Sequence, residues 1–298
     1  MRKIGTLILC YCLSYNLFGQ GEVHSIPFQL TEYNNISVKA ILNEKDTVNL
    51  MFHSAANFVT LTEEAVSRLK TITFQEKTEG IKSWGGDVNS ARFSEKNTLQ
   101  IGDLTWKDLP LWENKNSGRK TDGKVGIDLL KDKVIELDFE KQVMIVSESL
   151  PAKSKKYKKH KLVFENDYMF LEANCKVGDS TLTNRFLIHS GYSGAILFDD
   201  AFTGEHKLGE KLKITSEKKL TDSYGNVVKT KQAILPELKI GNETLSNVPV
   251  GFFEGAIGRQ KMSVLGGEII KRFSIIIDAR REYIYLKPNR LKGMEYAS

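Results

Sequence analysis

Two stretches of the sequence share one order of residue types. Residues 186–196 read Phe-Leu-Ile-His-Ser-Gly-Tyr-Ser-Gly-Ala-Ile, so an apolar strand ends in a polar, glycine-containing turn and then becomes apolar again. Residues 50–59 read Leu-Met-Phe-His-Ser-Ala-Ala-Asn-Phe-Val and repeat that order, with the histidines 136 positions apart. We therefore predict that the chain contains two copies of one unit, and that each copy places one histidine, His53 or His189, at a shared cleft.

Other segments recur at nearly the same spacing. The paired segments are residues 99–102 with 238–241 at an offset of 139, and residues 84–85 with 224–225 and 125–130 with 265–270, both at 140. Because offsets that agree within a few residues across both halves are hard to explain by chance, they indicate an internal duplication. The predicted lobes are residues 21–150 and 162–298.

Most of each copy has the alternation of apolar and polar residues that is typical of half-buried strands. Residues 26–30, 36–42, 134–139 and 143–146 are examples. One short helix is predicted over residues 60–69, where Thr60 and Glu63 form a capping-box pattern. The sequence therefore predicts an all-β protein with a few short helices.

The N-terminal segment predicts export. Arg2 and Lys3 precede an apolar run over residues 4–17, and the small residue Gly19 lies near a plausible cleavage point. A membrane anchor is the alternative, but the run is short and broken by polar residues. We expect residues 1–20 to be a signal peptide and the product to be periplasmic or secreted, with no membrane span after cleavage. Cys175 would then be the single remaining cysteine, which excludes an internal disulfide.

The charge is mildly basic. The net charge is +6 for the whole chain and +4 once Arg2 and Lys3 are removed. Much of the excess lies in residues 151–161, a lysine-rich run between the two copies, which we interpret as a solvated basic linker rather than a nucleic-acid site. No nucleic-acid partner is expected, and the chain is predicted to be a monomer.

The order of these segments resembles the bilobal aspartic peptidases, and the short helices are similar to those of the retropepsin-like branch found in bacteria. The resemblance rests on a strand ending in a polar turn, a glycine-rich hairpin, an apolar-apolar-glycine segment and a closing strand pair, in that order, in each copy. It implies a two-lobed β-barrel fold with a cleft between the lobes for an extended polymer, and polypeptide is the polymer that we expect because the family cleaves polypeptides. It also implies that each lobe supplies one Asp-Thr/Ser-Gly turn.

The residues of this chain that match those turns are His53-Ser54-Ala55 and His189-Ser190-Gly191. Both catalytic aspartates of the family are replaced by histidine. A carboxylate pair works because one group keeps a proton while the other is ionised. Two imidazoles would form a neutral or cationic pair instead, so we expect ordinary aspartic-peptidase turnover to be lost.

Several functions remain open at this point. The two histidines can be an acid/base pair of a histidine-based hydrolase, or the chain can be a pseudoenzyme that binds polypeptide without cleaving it. A carbohydrate-directed or metal-dependent hydrolase is a further alternative. Catalytic zinc needs three protein ligands, and neither histidine has a third ligand at suitable spacing, so no metal or other cofactor is predicted.

The resemblance also implies flaps over the cleft at the hairpin tips. The corresponding residues are Trp84, Gly85 and Gly86 in the first copy, and Tyr224 and Gly225 in the second. The aromatic rings could stack on a ligand or pack against their own lobe. Four carboxylates in the closing segments are predicted to be structural rather than catalytic, namely Asp128, Asp138, Glu268 and Asp278.

Overall fold

The computed structural model describes residues 22–75, 77–81, 89–118, 120–253 and 260–296. Strands dominate both halves, and the helices are short. The prediction of an all-β, two-lobed fold is confirmed. Within the described ranges, no helix has the length and apolarity needed to cross a membrane.

The first lobe contains the strands and one α-helix that precede residue 150. They are β1 (Val23–Leu30), β2 (Ile36–Leu42), β3 (Asp46–His53), β4 (Val59–Thr62), α1 (Glu63–Arg68), β5 (Lys77–Ile81), β6 (Asn89–Ile101), β7 (Leu104–Asn114), β8 (Gly123–Gly126), β9 (Val134–Asp138) and β10 (Val143–Ser147). A 3-10 helix, Ile127–Leu130, follows β8.

The second lobe repeats this order with longer hairpins. Its elements are β11 (Lys158–Lys161), β12 (Val163–Glu165), β13 (Tyr168–Val177), β14 (Ser180–His189), β15 (Ile196–Leu197), α2 (Asp200–Glu205), α3 (Leu208–Lys211), β16 (Ile214–Thr221), β17 (Val227–Ile240), β18 (Glu243–Phe253), β19 (Ser263–Gly266), α4 (Gly267–Ile270), β20 (Phe273–Ile277) and β21 (Tyr283–Pro288). A 3-10 helix, Arg290–Gly293, follows β21.

The pairing of strands is the same around the two histidines. β3 runs parallel to β8 with His53 opposite Gly126, and β14 runs parallel to β19 with His189 opposite Gly266. β4 and β15 then pair antiparallel with β8 and β19, respectively. The duplicated sequence therefore folds into two units with equivalent strand pairing, each of which ends one strand at a histidine.

The two lobes share a sheet. β9 of the first lobe pairs antiparallel with β20 of the second, with Glu136 opposite Ile276. β10 and β1 extend this sheet on one side, and β21 and β11 extend it on the other. Because one hydrogen-bonded sheet contains strands from both halves, the lobes form one body with a largely continuous apolar core.

The basic segment between the lobes differs from the solvated linker that its composition predicts. Residues Ala152–Lys156 form a 3-10 helix, from which the Nζ atom of Lys153 lies 2.7 Å from Oε1 of the buried Glu136. β11 then pairs with β21 at the edge of the shared sheet, while most of its side chains remain exposed. The segment connects the lobes and is also part of the sheet that joins them.

The predicted helix starts later than its capping pattern suggests. Thr62 is the N-cap of α1, and its hydroxyl accepts the amide hydrogen of Ala65. Thr60 lies instead in β4, opposite Trp112 of β7 and Lys124 of β8. Tertiary strand pairing therefore overrides the local capping signal of Thr60.

Candidate functional site: a histidine pair in the interlobe cleft

The structure brings His53 and His189 together. Their ring centroids lie 4.5 Å apart with the planes inclined by 58°. The His53 side chain is buried and that of His189 is partly buried. Each histidine is the last residue of its strand and lies opposite a glycine of the parallel partner strand. Equivalent positions of the two lobes therefore lie next to each other.

The serine after each histidine joins the two lobes. The Ser54 amide donates to Ser190 Oγ at 2.9 Å, and the Ser190 amide donates to Ser54 Oγ at 3.0 Å. Each hydroxyl in turn donates to a main-chain oxygen of the other lobe, Ser54 to Ile188 and Ser190 to Phe52, both at 2.7 Å. This four-bond serine clamp holds the two histidine-bearing turns in a defined relative position.

The third residue of each turn is small, and on one side it must be. A Cβ atom added to Gly191 would lie 2.4 Å from Nε2 of His53, which is closer than nonbonded atoms approach. Gly191 therefore leaves the space that the His53 ring occupies. Ala55, its counterpart, donates its amide hydrogen to His53 Nδ1 at 3.1 Å. A neutral His53 consequently carries its hydrogen on Nε2.

Both histidines resist protonation. Desolvation at the cleft floor lowers the pKa of His189 to about 4, and the charge of Lys124 adds to this effect. Burial is also the largest cause that holds the pKa of His53 well below its usual value, followed by the charges of His189 and Lys124. At neutral pH the pair is therefore two neutral imidazoles.

Lys124 is a site residue that the sequence analysis missed. It lies on β8 opposite Met51, and its Nζ atom is 3.4 Å from Ser223 Oγ. Desolvation lowers the pKa of Lys124 to about 8. The position equivalent to Lys124 in the second lobe is Val264, opposite Leu187. The difference between the two copies at this position, lysine in one and valine in the other, is the sequence signal that could have identified Lys124.

These groups line a cavity of about 500 Å³ between the lobes. Asp222 is the one carboxylate among the described residues that line it. The lining residues are Met51, His53, Ala55, Ala56, Asn116, Ser117, Gly118, Lys124, Tyr168, Leu187, His189, Gly191, Tyr192, Leu197, Leu220, Thr221, Asp222, Ser223, Gln260, Lys261, Met262 and Val264. The cavity is thus mixed apolar and polar, as ligand clefts usually are.

One side of the cavity is closed by the hairpin turn between β16 and β17. The amides of Lys115 and Asn116, in the first lobe, both donate to the Ser223 oxygen at 3.0 Å. Asp222 shapes the turn because its Oδ1 accepts the amide hydrogens of Tyr224 and Asn226, at 2.9 and 2.8 Å. The second-lobe hairpin therefore contacts the first lobe across the cleft.

The predicted flap residues are only partly described. Trp84, Gly85 and Gly86 lie outside the described residues, although β5 and β6 on either side pair antiparallel as a hairpin requires. Tyr224 is half-buried and Gly225 has a φ of 87° at the tip of the second hairpin. Neither residue lines the cavity, whereas the preceding Ser223 does.

The closing-segment carboxylates have structural contacts. Asp128 accepts the amide hydrogen of Phe58, the residue directly before β4. Asp138 and Asp278 each accept two amide hydrogens in the turns that follow them. Glu268 is buried and pairs with Arg272 at 2.8 Å. None of the four lines the histidine cavity.

A metal site has little support in these contacts. In the part of the chain that the structure describes, no cluster of three or more His, Cys, Asp or Glu side chains has the arrangement of a metal site. Nδ1 of His53 already accepts an amide hydrogen, so its lone pair is engaged. The histidine pair alone offers fewer ligands than catalytic zinc normally has.

Comparison with known proteins agrees with the fold. A family model described as aspartyl protease matches residues 38–129, which include the turn that carries His53. Among solved structures, an aspartic proteinase from Irpex lacteus superposes with a TM-score of 0.61 at 13% sequence identity, over 93% of this chain and 100% of that one. No curated protein matches the sequence. Residues 38–129 thus resemble that family in sequence, and the whole chain resembles it in fold.

Proposed function

The chain is an aspartic-peptidase-like protein, and on that premise we propose that its interlobe cleft binds an extended polypeptide without hydrolysing it. The fold supports a polypeptide ligand, and the cavity of about 500 Å³ at the histidine pair supplies a place for it. The observation that carries the proposal is the burial of His53 and His189 against each other beside Lys124, which holds the pKa of both imidazoles below its usual value. Both rings are then neutral at pH 7, and the loss of hydrolysis follows from that neutral state.

Hydrolysis by a carboxylate pair requires one negative charge beside the attacking water. The pair here offers none, since both imidazoles are neutral and Lys124 adds positive charge beside them. With a pKa of about 4, His189 is also a weak general base and an almost unpopulated general acid at pH 7. The site therefore lacks both the general acid and the general base that hydrolysis by an aspartic peptidase requires.

Neutral imidazoles are suited to hydrogen bonding with a peptide. His53 has its hydrogen on Nε2, because Nδ1 accepts the Ala55 amide hydrogen, and so it can donate to a ligand carbonyl. Nδ1 of His189 is buried and has no partner among the described residues. A buried polar atom without a partner is costly, and a bound ligand that reorders this site would relieve that cost.

The test uses reduced, carboxymethylated lactalbumin, which is an unfolded polypeptide. The unchanged protein is expected to retain it and to leave it intact from pH 3 to pH 8. The double variant His53→Asp/His189→Asp is expected to gain cleavage at acid pH, and the double variant His53→Asn/His189→Asn is the matched control, of similar size but unable to ionise. A parallel aspartate variant also carries Lys124→Val, because a nearby cation would keep both carboxylates ionised.

A histidine-based hydrolase is the second candidate. The 4.5 Å separation of the ring centroids favours it, because two imidazoles side by side can divide the acid and base roles. Cleavage of the lactalbumin by the unchanged protein near neutral pH, abolished by either His53→Ala or His189→Ala, would establish this candidate in place of the first. Failure to retain the polypeptide at all would overturn the binding proposal.

We also propose that the protein is exported and acts as a monomer. The support for export is the basic and apolar pattern of residues 1–20. N-terminal sequencing of the protein from its native source is expected to start near residue 21, and sedimentation is expected to give the mass of one chain. An intact Met1 in the mature protein would contradict export.

A further inference from the structure

Lys124 is a cation without an anionic partner in the cleft. It forms no ion pair with any carboxylate in the described part of the chain, and its Nζ has a single long hydrogen bond, to Ser223 Oγ at 3.4 Å. A charged group that leaves water costs free energy unless an opposite charge or several hydrogen bonds compensate it. The protein itself therefore leaves this cost largely uncompensated.

The groups around Lys124 do not supply an ion-pair partner among the described residues. His53 and His189 face it from β3 and β14 as neutral rings. Asp222 lines the same cavity, but its two oxygens accept hydrogens within its own turn, including that of the Asn226 side chain at 2.9 Å. Lys261, exposed at the rim, adds a second positive charge. The described lining residues therefore carry two lysines against one carboxylate, which is a net positive charge.

The neighbouring donors match the needs of a carboxylate. The Lys124 ammonium has three hydrogens to donate, the Ser223 hydroxyl has one, and neutral His53 has one on Nε2. A carboxylate accepts several hydrogen bonds, and charge-assisted bonds are about twice as strong as neutral ones. These donors come from β3, β8 and the β16–β17 turn, so they surround one part of the cavity.

We propose that the cleft recognises a carboxylate of its polypeptide ligand, and that Lys124 is the residue that binds it. The inference rests on the proposed polypeptide binding and narrows it to acidic ligands. Val264 occupies the equivalent place in the second lobe, so the carboxylate binds on the first-lobe side of the histidine pair. This asymmetry sets the direction in which an extended peptide lies in the cleft.

The test uses three pools of N-acetylated nonapeptides that are random at eight positions, drawn from uncharged residues other than cysteine. One pool has a central Glu and an amidated C-terminus, one has a central Gln and an amidated C-terminus, and one has a central Gln and a free C-terminal carboxylate. The full-length protein is expected to retain either the first or the third pool at least tenfold better than the second. The preferred pool identifies the source of the carboxylate as a side chain or a chain terminus.

Variants assign the preference to Lys124. Lys124→Met, which keeps the length of the side chain, is expected to remove the preference, and Lys124→Arg is expected to keep most of it. Lys39→Met is the matched control, because it removes a lysine from an exposed position of β2 that does not line the cavity, and it should leave the preference intact. Equal retention of all three pools overturns the carboxylate inference and leaves polypeptide binding standing. A preference that survives Lys124→Met also overturns it, and no retention of any pool overturns both proposals.

Discussion

Ser54 and Ser190 exchange hydrogen bonds across the boundary between the lobes. Each amide donates to the other residue's hydroxyl oxygen, and each hydroxyl donates to a main-chain oxygen of the opposite lobe. Both serines are at least 96% buried, so water cannot replace a lost partner. The serine clamp therefore determines where the two histidines stand relative to each other.

Removing either serine hydroxyl should destabilise the protein. Ser190→Ala leaves the Ser54 amide and the Phe52 oxygen without a partner, which is expected to lower the free energy of unfolding by about 1–3 kcal/mol. Urea unfolding of Ser54→Ala, Ser190→Ala and the double variant measures this. Because the four bonds form one network, the double variant should lose less than the sum of the single losses.

The control is Ser246→Ala, at an exposed position of β18, which is expected to change the free energy of unfolding by less than about 0.5 kcal/mol. Strictly additive losses at Ser54 and Ser190 would show that the two hydroxyls do not act as one unit.

A methyl group at Gly191 should displace His53. The added Cβ would lie 2.4 Å from Nε2 of the ring, so either the ring or the turn must move. Gly191→Ala is expected to cost about 1–3 kcal/mol of stability, as overpacking of a filled site usually does. The same change at Gly204, in α2, meets nothing within 4 Å and should be neutral or stabilising. Thermal unfolding compares the two, and equal effects would contradict the close packing of Gly191 against His53.

The histidine pair should make the fold sensitive to acid. Between pH 6.5 and pH 4 an unfolded histidine takes up a proton, whereas His189, with a pKa of about 4, stays largely neutral in the folded protein. The unfolded state then binds more protons, so stability falls as the pH falls. The share from His189 is about 3 kcal/mol at pH 4, calculated from the two pKa values.

Urea unfolding at pH 7 and pH 4 tests this in the unchanged protein and in His189→Asn. The variant is expected to lose less stability between the two pH values, because its amide does not titrate. An identical loss in both proteins would show that His189 does not resist protonation.

Replacing Lys124 should act on the histidines through charge. Lys124→Met removes the positive charge that opposes protonation, so the pKa of both His53 and His189 is expected to rise. Stability at pH 7 should increase by about 1–3 kcal/mol, because an uncompensated cation is replaced by an apolar side chain of similar length. NMR titration of the imidazole resonances measures the first effect. Lys261→Met, at the exposed rim, should shift them less, and equal shifts would refute the proximity of Lys124.

Much of the fold could be predicted because it is encoded twice. The strand that ends at His53 and the strand that ends at His189 have the same pattern, and a period of two residues indicates strands in both copies. The prediction that each copy places one histidine at a shared cleft followed from that repetition. The structure brings the rings to 4.5 Å because equivalent strand ends face each other.

Features that depend on distant partners were predicted less well. Residues Lys158–Lys161 have no apolar alternation, and they are a strand because β21 offers them a sheet edge. Thr60 has a capping pattern but is held in β4 by strands on both sides. In both places, hydrogen bonds to residues far away in sequence outweighed local preference.

The sequence by itself determined the duplication and the two-lobed β fold, and it predicted that His53 and His189 stand where aspartic peptidases have their aspartates. Only the tertiary structure decided the charge state of the site. The pKa of His189, the lack of an ion-pair partner for Lys124 among the described residues, and the serine clamp all depend on which groups from β3, β8 and β14 lie together away from water. Desolvation and Coulomb interactions depend on burial and on distances in space, and neither can be read from the spacing of residues along the chain.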